Sequence, residues 1–109
     1  MIETIVVREP ARFDPYVIDT LMPDLVGHDR QPSAFIVYLY LADRVTRARA
    51  RSVAVSLSTI AADTGLSKTA VQRGLRTLTR RRLLRTDKPT RTSVPHYTLL
   101  QSWGRARNR

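Results

Sequence analysis

The stretch from Ser58 to Leu78 constrains this chain most, because it reads as two short helices joined by a tight turn and as little else. Ser58 and Ser67 stand where helix N-caps are needed; a short hydroxyl side chain accepts from the first free N–H groups of the helix that follows. Gly65 falls where the first helix must stop, and glycine takes the left-handed conformation there at little steric cost. Ile60, Ala61, Leu66, Val71, Leu75 and Leu78 supply an apolar side. The opposite side of the second helix carries Lys68, Thr69, Gln72, Arg73 and Arg76, a row of hydrogen-bond donors on a helix with a packed back.

Charge says what such a row is for. The chain has 109 residues and a net charge of +10, enough length for one domain with a modest core. Residues 1–32 hold three arginines against six acidic residues, whereas residues 33–109 hold sixteen Lys and Arg against three aspartates. A polyanionic partner is the economical explanation of the second segment; a merely soluble basic protein is the plain alternative. The absence of cysteine excludes disulfides, cysteine nucleophiles and thiolate metal sites, and fits a reducing compartment. Met1 to Pro10 lacks the basic start and long apolar run of a signal peptide. The apolar cluster Ala34 to Ala42 is too short to span a bilayer, so no membrane partner is expected.

Around the central stretch the chain reads in order. Thr4 to Val7 has strand composition. Pro10, Pro15, Pro23 and Pro32 then cut the first 32 residues into short pieces, with Asp14-Pro15 able to start a helical turn through Tyr16, Val17, Ile18 and Leu21. So many large apolar residues imply that the segment packs, either on its own domain or on a second subunit. Ser33 opens a helix that is apolar almost all round and runs to about Val45 or Arg47. Its end carries Arg44, Arg47, Arg49 and Arg51, which suit a solvated helix end and a phosphate-contacting patch equally. Val53 to Ser56 reads as a short strand. The two helices follow at about 58–64 and 67–81; Leu83 to Thr86 is a strand, and Val94 to Leu100 is its return, with Tyr97 and Leu99 on the inner face. Asp87 to Ser93 is the polar loop between them. Trp103 in the basic tail is placed to dock.

Helix, strand, helix, turn, helix, strand, loop, strand is the order of a winged helix-turn-helix domain, and the sequence resembles that family over residues 33–100. The residues that carry the resemblance are Leu57-Ser58, Ile60-Ala61, Thr64-Gly65-Leu66-Ser67, Ala70-Val71, Arg73, Leu75, Leu78 and Leu83-Leu84. Ala61 stands four before Gly65, where the helices should cross closely, and Val71 six after it, pointing into the core. It looks most like the modules of bacterial and phage replication initiators and of small transcription regulators. One departure stands out: Arg80-Arg81-Arg82 occupies the place where the family commonly has an acidic turn and a glycine. The resemblance implies an α+β fold, mainly α, with a three-helix core and a small antiparallel β-wing. Residues 1–32 would form an N-terminal extension and 101–109 a basic tail.

The function it implies is binding of double-stranded DNA, with the helix at 67–81 in the major groove. Thr69, Gln72 and Arg73, with Lys68, are the candidates for base edges, since Arg pairs with guanine and Gln with adenine. Ser67 and the free N–H groups beside it suit a phosphate, as does Thr59. Arg76 and Arg80 lie farther along the same face, towards the backbone, and Lys88 and Arg91 on the wing reach the minor groove or its phosphates. A bacterial, cytoplasmic, nucleoid-associated transcription regulator is the leading expectation; a replication or plasmid-maintenance module and a protein-interaction module are the alternatives. RNA binding lacks exposed stacking aromatics. Residues 1–32 with the first helix are the expected homodimer contact. No catalytic residue, cofactor or metal site is expected: His28 and His96 are far apart, and Asp24 and Asp29 read as loop carboxylates with no acid–base pairing.

Overall fold

The computed structural model of the chain describes residues 10–101. The expected strand at Thr4–Val7 and the docking of Trp103 lie outside them. Three α-helices, α1 (Pro32–Ala48), α2 (Leu57–Thr64) and α3 (Lys68–Arg80), pack with a sheet of three short strands, β1 (Ser52–Ala54), β2 (Leu84–Asp87) and β3 (His96–Leu99). β3 lies between the other two, antiparallel to both. This is the winged helix arrangement expected from the order of elements.

Register explains which strand residues are buried. Val53, Tyr97 and Thr86 form one row across the sheet, and Leu99 faces Leu84 in the next row on the same side. That side meets the helices: Tyr97 and Leu84 are buried, and Val53 and Leu99 half-buried. The alternate rows, Ser52–Thr98–Arg85 and Ala54–His96–Asp87, form the outer face. The core gathers Ala34, Val37, Tyr38 and Leu41 from α1, Ile60 from α2, and Val71 and Leu78 from α3. Burial pushes the Tyr38 phenol up to about 12.

Two helix boundaries differ from the reading above. The N-cap of α2 is Ser56, not Ser58: its hydroxyl accepts from Thr59 N at 3.1 Å, so the helix starts one residue earlier and Ser58 lies within its first turn. At the end of α3 the three arginines do make a stop. Arg82 takes φ +60°, Arg82 N donates to Thr79 O, and Leu83 N reaches back to Leu78 O at 2.9 Å. This is the left-handed cap that glycine usually supplies. Arg49 ends α1 in the same way, at φ +54°, with Ala50 N on Val45 O. The closest helix approach was also not foreseen. Ala61 is only half-buried, whereas Gly74 of α3 lies against α1 so tightly that a Cβ there would sit 3.1 Å from Ala34 Cα.

Pro15 and Pro23 do not break the N-terminal segment, whereas Pro32 opens α1 after the chain leaves the helix at 29–31. Asp14 caps its start, its carboxylate accepting from Tyr16 N at 2.8 Å. The backbone then winds with i→i+5 bonds through Val17–Leu21 and Pro23–His28. A proline ring crowds the carbonyl four residues back in an α-helix and offers no N–H; the wider π-turn relieves the crowding at Pro23. With the wider turn, apolar side chains four apart stay aligned, and Val17, Leu21 and Leu25 are all buried in the common core. Asp24 and Asp29 are therefore helix and helix-end residues rather than loop carboxylates. They hold Arg81, which donates from Nε and Nη2 to the two oxygens of Asp29, both at 2.7 Å, and lies 3.8 Å from Asp24. Those bonds, with one from His28, draw the Asp29 carboxyl down to about 2.

Candidate nucleic-acid interface

α3 presents its donors because its caps and its periodicity fix its rotation. Ser67 accepts from Ala70 N at 3.0 Å, leaving the N–H groups of Lys68 and Thr69 without an intrahelical acceptor. Val71, Gly74, Thr77 and Leu78 are buried, and this inward stripe turns Thr69, Gln72, Arg73, Arg76 and Arg80 outwards. All ten residues expected at the interface are exposed: Thr59, Ser67, Lys68, Thr69, Gln72, Arg73, Arg76, Arg80, Lys88 and Arg91.

They are not all brought together. Gln72, Arg76 and Arg80 share one open groove of about 640 Å³ with Lys88 of the wing. Its floor is Leu57, Leu75, Pro95 and Tyr97, with Thr79 and Thr86 along the sides. Lys68, Thr69 and Arg73 stand outside the groove on the exposed surface of α3, Arg91 is in the loop beyond β2, and Thr59 belongs to the cap of α2. The Thr59 hydroxyl accepts from the Ser56 hydroxyl at 2.9 Å, so its first role is local. Sequence reading missed the floor residues and Thr79, whose hydroxyl is returned to Leu75 O at 2.8 Å; only the pairing of β2 with β3 sets the wing beside α3.

Ion pairing separates two groups of cations. Arg44, Arg47 and Arg81 have carboxylate partners: Asp63 at 3.7 Å, Asp43 at 2.8 Å and Asp29 at 2.7 Å. Of the run Arg44, Arg47, Arg49 and Arg51, the first two lie within α1 and are thus tied to aspartates. Asp63 also accepts from the Tyr40 hydroxyl at 2.6 Å, clasping α1 to α2, and burial with that bond pushes the Tyr40 phenol up to about 12. Lys68, Arg73, Arg76, Arg80, Lys88 and Arg91 take part in no ion pair among the described residues. Cations left unpaired on one exposed helix and its neighbouring wing make a positive field that attracts phosphate. Among the described residues no group of His, Asp or Glu is placed to hold a metal ion, and no helix is long and apolar enough to cross a membrane.

Residues 31–84 match the model of a family described as a helix-turn-helix domain. The chain carries such a domain over that stretch, a unit of DNA-binding proteins, and the match takes in all three α-helices and β1 and reaches the start of β2. The wing hairpin beyond Leu84 rests on the structure alone. No curated protein and no solved structure gives a significant match.

Proposed function

We propose, on the premise that residues 31–84 are a helix-turn-helix domain, that the protein binds double-stranded DNA sequence-specifically and acts as a small bacterial transcription regulator. The observation that carries this is the row of cations on the outward face of α3 and on the wing: they are exposed and in no ion pair among the described residues, whereas Arg44, Arg47 and Arg81 are tied to aspartates. The N-terminal half of α3 enters the major groove, where Thr69, Gln72 and Arg73 meet base edges and Lys68 assists. Ser67 and the free N–H groups beside it take a phosphate. Arg76, Arg80 and Lys88, along one groove, follow the strand that separates the two DNA grooves, and Arg91 reaches the minor groove.

A salt titration with duplex DNA tests the reading. Each phosphate neutralised lowers the logarithm of the association constant by roughly 0.9 per decade of salt. With five or six cations engaged, affinity falls steeply between low and moderate salt. A flat dependence, or no duplex binding at low salt, rejects it.

A further inference from the structure

Three arginines hold left-handed backbone: Arg30, Arg49 and Arg82. Glycine takes that conformation freely, whereas a side chain crowds the following carbonyl. Two of them end α1 and α3 and flank one end of the sheet. Leu99 N donates to Arg51 O, and Leu100 N to Leu83 O. Arg49 and Arg51 thus lie on the β1 side of that end and Arg82 on the β2 side. Arg85 stands on the outer sheet face in the row Ser52–Thr98–Arg85, about 10 Å across two strand spacings. All four are exposed, and among the described residues none is in an ion pair. Asp87, two residues along the same outer face as Arg85, is the one carboxylate on that face among the described residues.

The interface proposed above lies on the inner side of the wing, where Arg80 shares a groove with Thr86 and Tyr97, whereas Arg85 stands on the outer sheet face. α3 has 13 residues, about 20 Å of rise; base edges are met at its N-terminal half, Arg80 at its last residue takes the strand backbone, and Arg82 lies past its C-terminal end. β2 runs from this end towards the wing loop. Arg49, Arg51, Arg82 and Arg85 line none of the groove that Gln72, Arg76, Arg80 and Lys88 share, and all four stand outside the set of residues assigned to the first duplex. They gain nothing from α3, and Arg81 between them is already neutralised by Asp29.

From this we infer that Arg49, Arg51, Arg82 and Arg85 form a second, sequence-independent phosphate-binding surface that takes the backbone of another DNA duplex. The surface has guanidinium forks for phosphate but no helix face for a major groove, so it reads charge and spacing rather than bases. One chain then holds two duplex segments. The inference rests on the proposed DNA binding, and its test separates the two.

Full-length protein is mixed at low salt with an excess of a short duplex, and native mass spectrometry counts duplexes per chain. The expected result is a species with more than one duplex per chain for the wild type. The triple variant R49G, R82G and R85Q should give one at most. The glycines suit φ +54° and +60°, so the variant folds, which thermal unfolding verifies, and its affinity for the first duplex falls no more than about threefold. One duplex per chain in the wild type, or two in the variant as well, overturns the second surface and leaves the α3 interface standing. No duplex bound at all overturns both. Dimerisation alone gives at most one duplex per chain, and so does not mimic the result.

Discussion

Arg73 and Arg76 sit three residues apart on the same exposed face of α3, yet they differ in surroundings. Arg76 lines the groove shared with Lys88, and Arg73 stands clear of it. A guanidinium at the helix surface nearer the N-terminus is free to lie flat on a guanine edge; one wedged towards the wing meets the strand backbone. Replacing Arg73 by Ala should therefore cost about 1–3 kcal/mol on the preferred site and much less on unrelated duplex. Arg76→Ala should weaken both alike and reduce the salt slope by about one. Fluorescence anisotropy with a selected site and a scrambled one checks the pair of expectations; equal losses for Arg73→Ala on both duplexes would reassign it to phosphate.

At the scale of elements, the α1–α3 contact is set by Gly74. A methyl added there meets the backbone of Ala34 at 3.1 Å, and backbone cannot rotate aside as a side chain can. Helix propensity favours Ala over Gly by about 1 kcal/mol, but overpacking costs typically 1–3 kcal/mol. Gly74→Ala should thus lose about 1 kcal/mol net, seen as a lower denaturant midpoint with an unchanged slope. A gain in stability would mean that the helices part easily. The Arg81–Asp29 fork joins the N-terminal segment to the end of α3. Asp29 has its carboxyl drawn down to about 2 from 3.8. A depressed folded-state pKa stabilises the fold fully above the unfolded value and loses that contribution as pH falls from about 4 towards 2. Solvent screening at this partly exposed pair keeps the contribution to about 1 kcal/mol. Asp29→Asn should be less stable than the wild type at pH 5.5, with the gap narrowing by pH 2.5 and closing only as pH falls below about 2, by chemical denaturation; parallel pH profiles would deny the fork that role.

These elements also show what a sequence can and cannot display. Ser67, Gly65 and the spacing of Val71 and Leu78 act within a few residues, so α2, the turn and α3 were legible, and so was the wing from its two apolar strands and polar loop. Gly74 was not: a glycine inside a helix is informative only once its neighbour across the contact is known. The Asp29–Arg81 pair spans 52 residues, which no local pattern reveals. The π-turns hid the N-terminal segment, because Pro15 and Pro23 read as breakers in a 3.6-residue frame. Ser56, at the end of a stretch that reads as a strand, caps α2 in place of Ser58; both are serines near the same helix start, and only backbone angles choose between them.

At the scale of the whole molecule, an exposed apolar row among the described residues is left unexplained by the fold. Beside the buried row Val17, Leu21 and Leu25 runs a second row with the same spacing, Ile18, Met22 and Val26, which are 45%, 37% and 37% exposed. This row lies on the segment with the chain's acidic excess, whereas the remainder of the chain carries +13. Two copies repel each other least through that segment, and meeting there they keep both α3 faces free for two half-sites. We therefore expect a homodimer built on this row. Removing residues 1–32 would be a poor test, since it strips Val17, Leu21 and Leu25 from the core. Met22→Glu is better: it places a charge in the exposed row and leaves the buried one intact. Sedimentation equilibrium should give twice the mass of one chain for the wild type and a single-chain mass for Met22→Glu, with the unfolding midpoint extrapolated to low concentration preserved. A wild type that sediments as one chain, or a variant that still pairs, would move the contact elsewhere or abolish it.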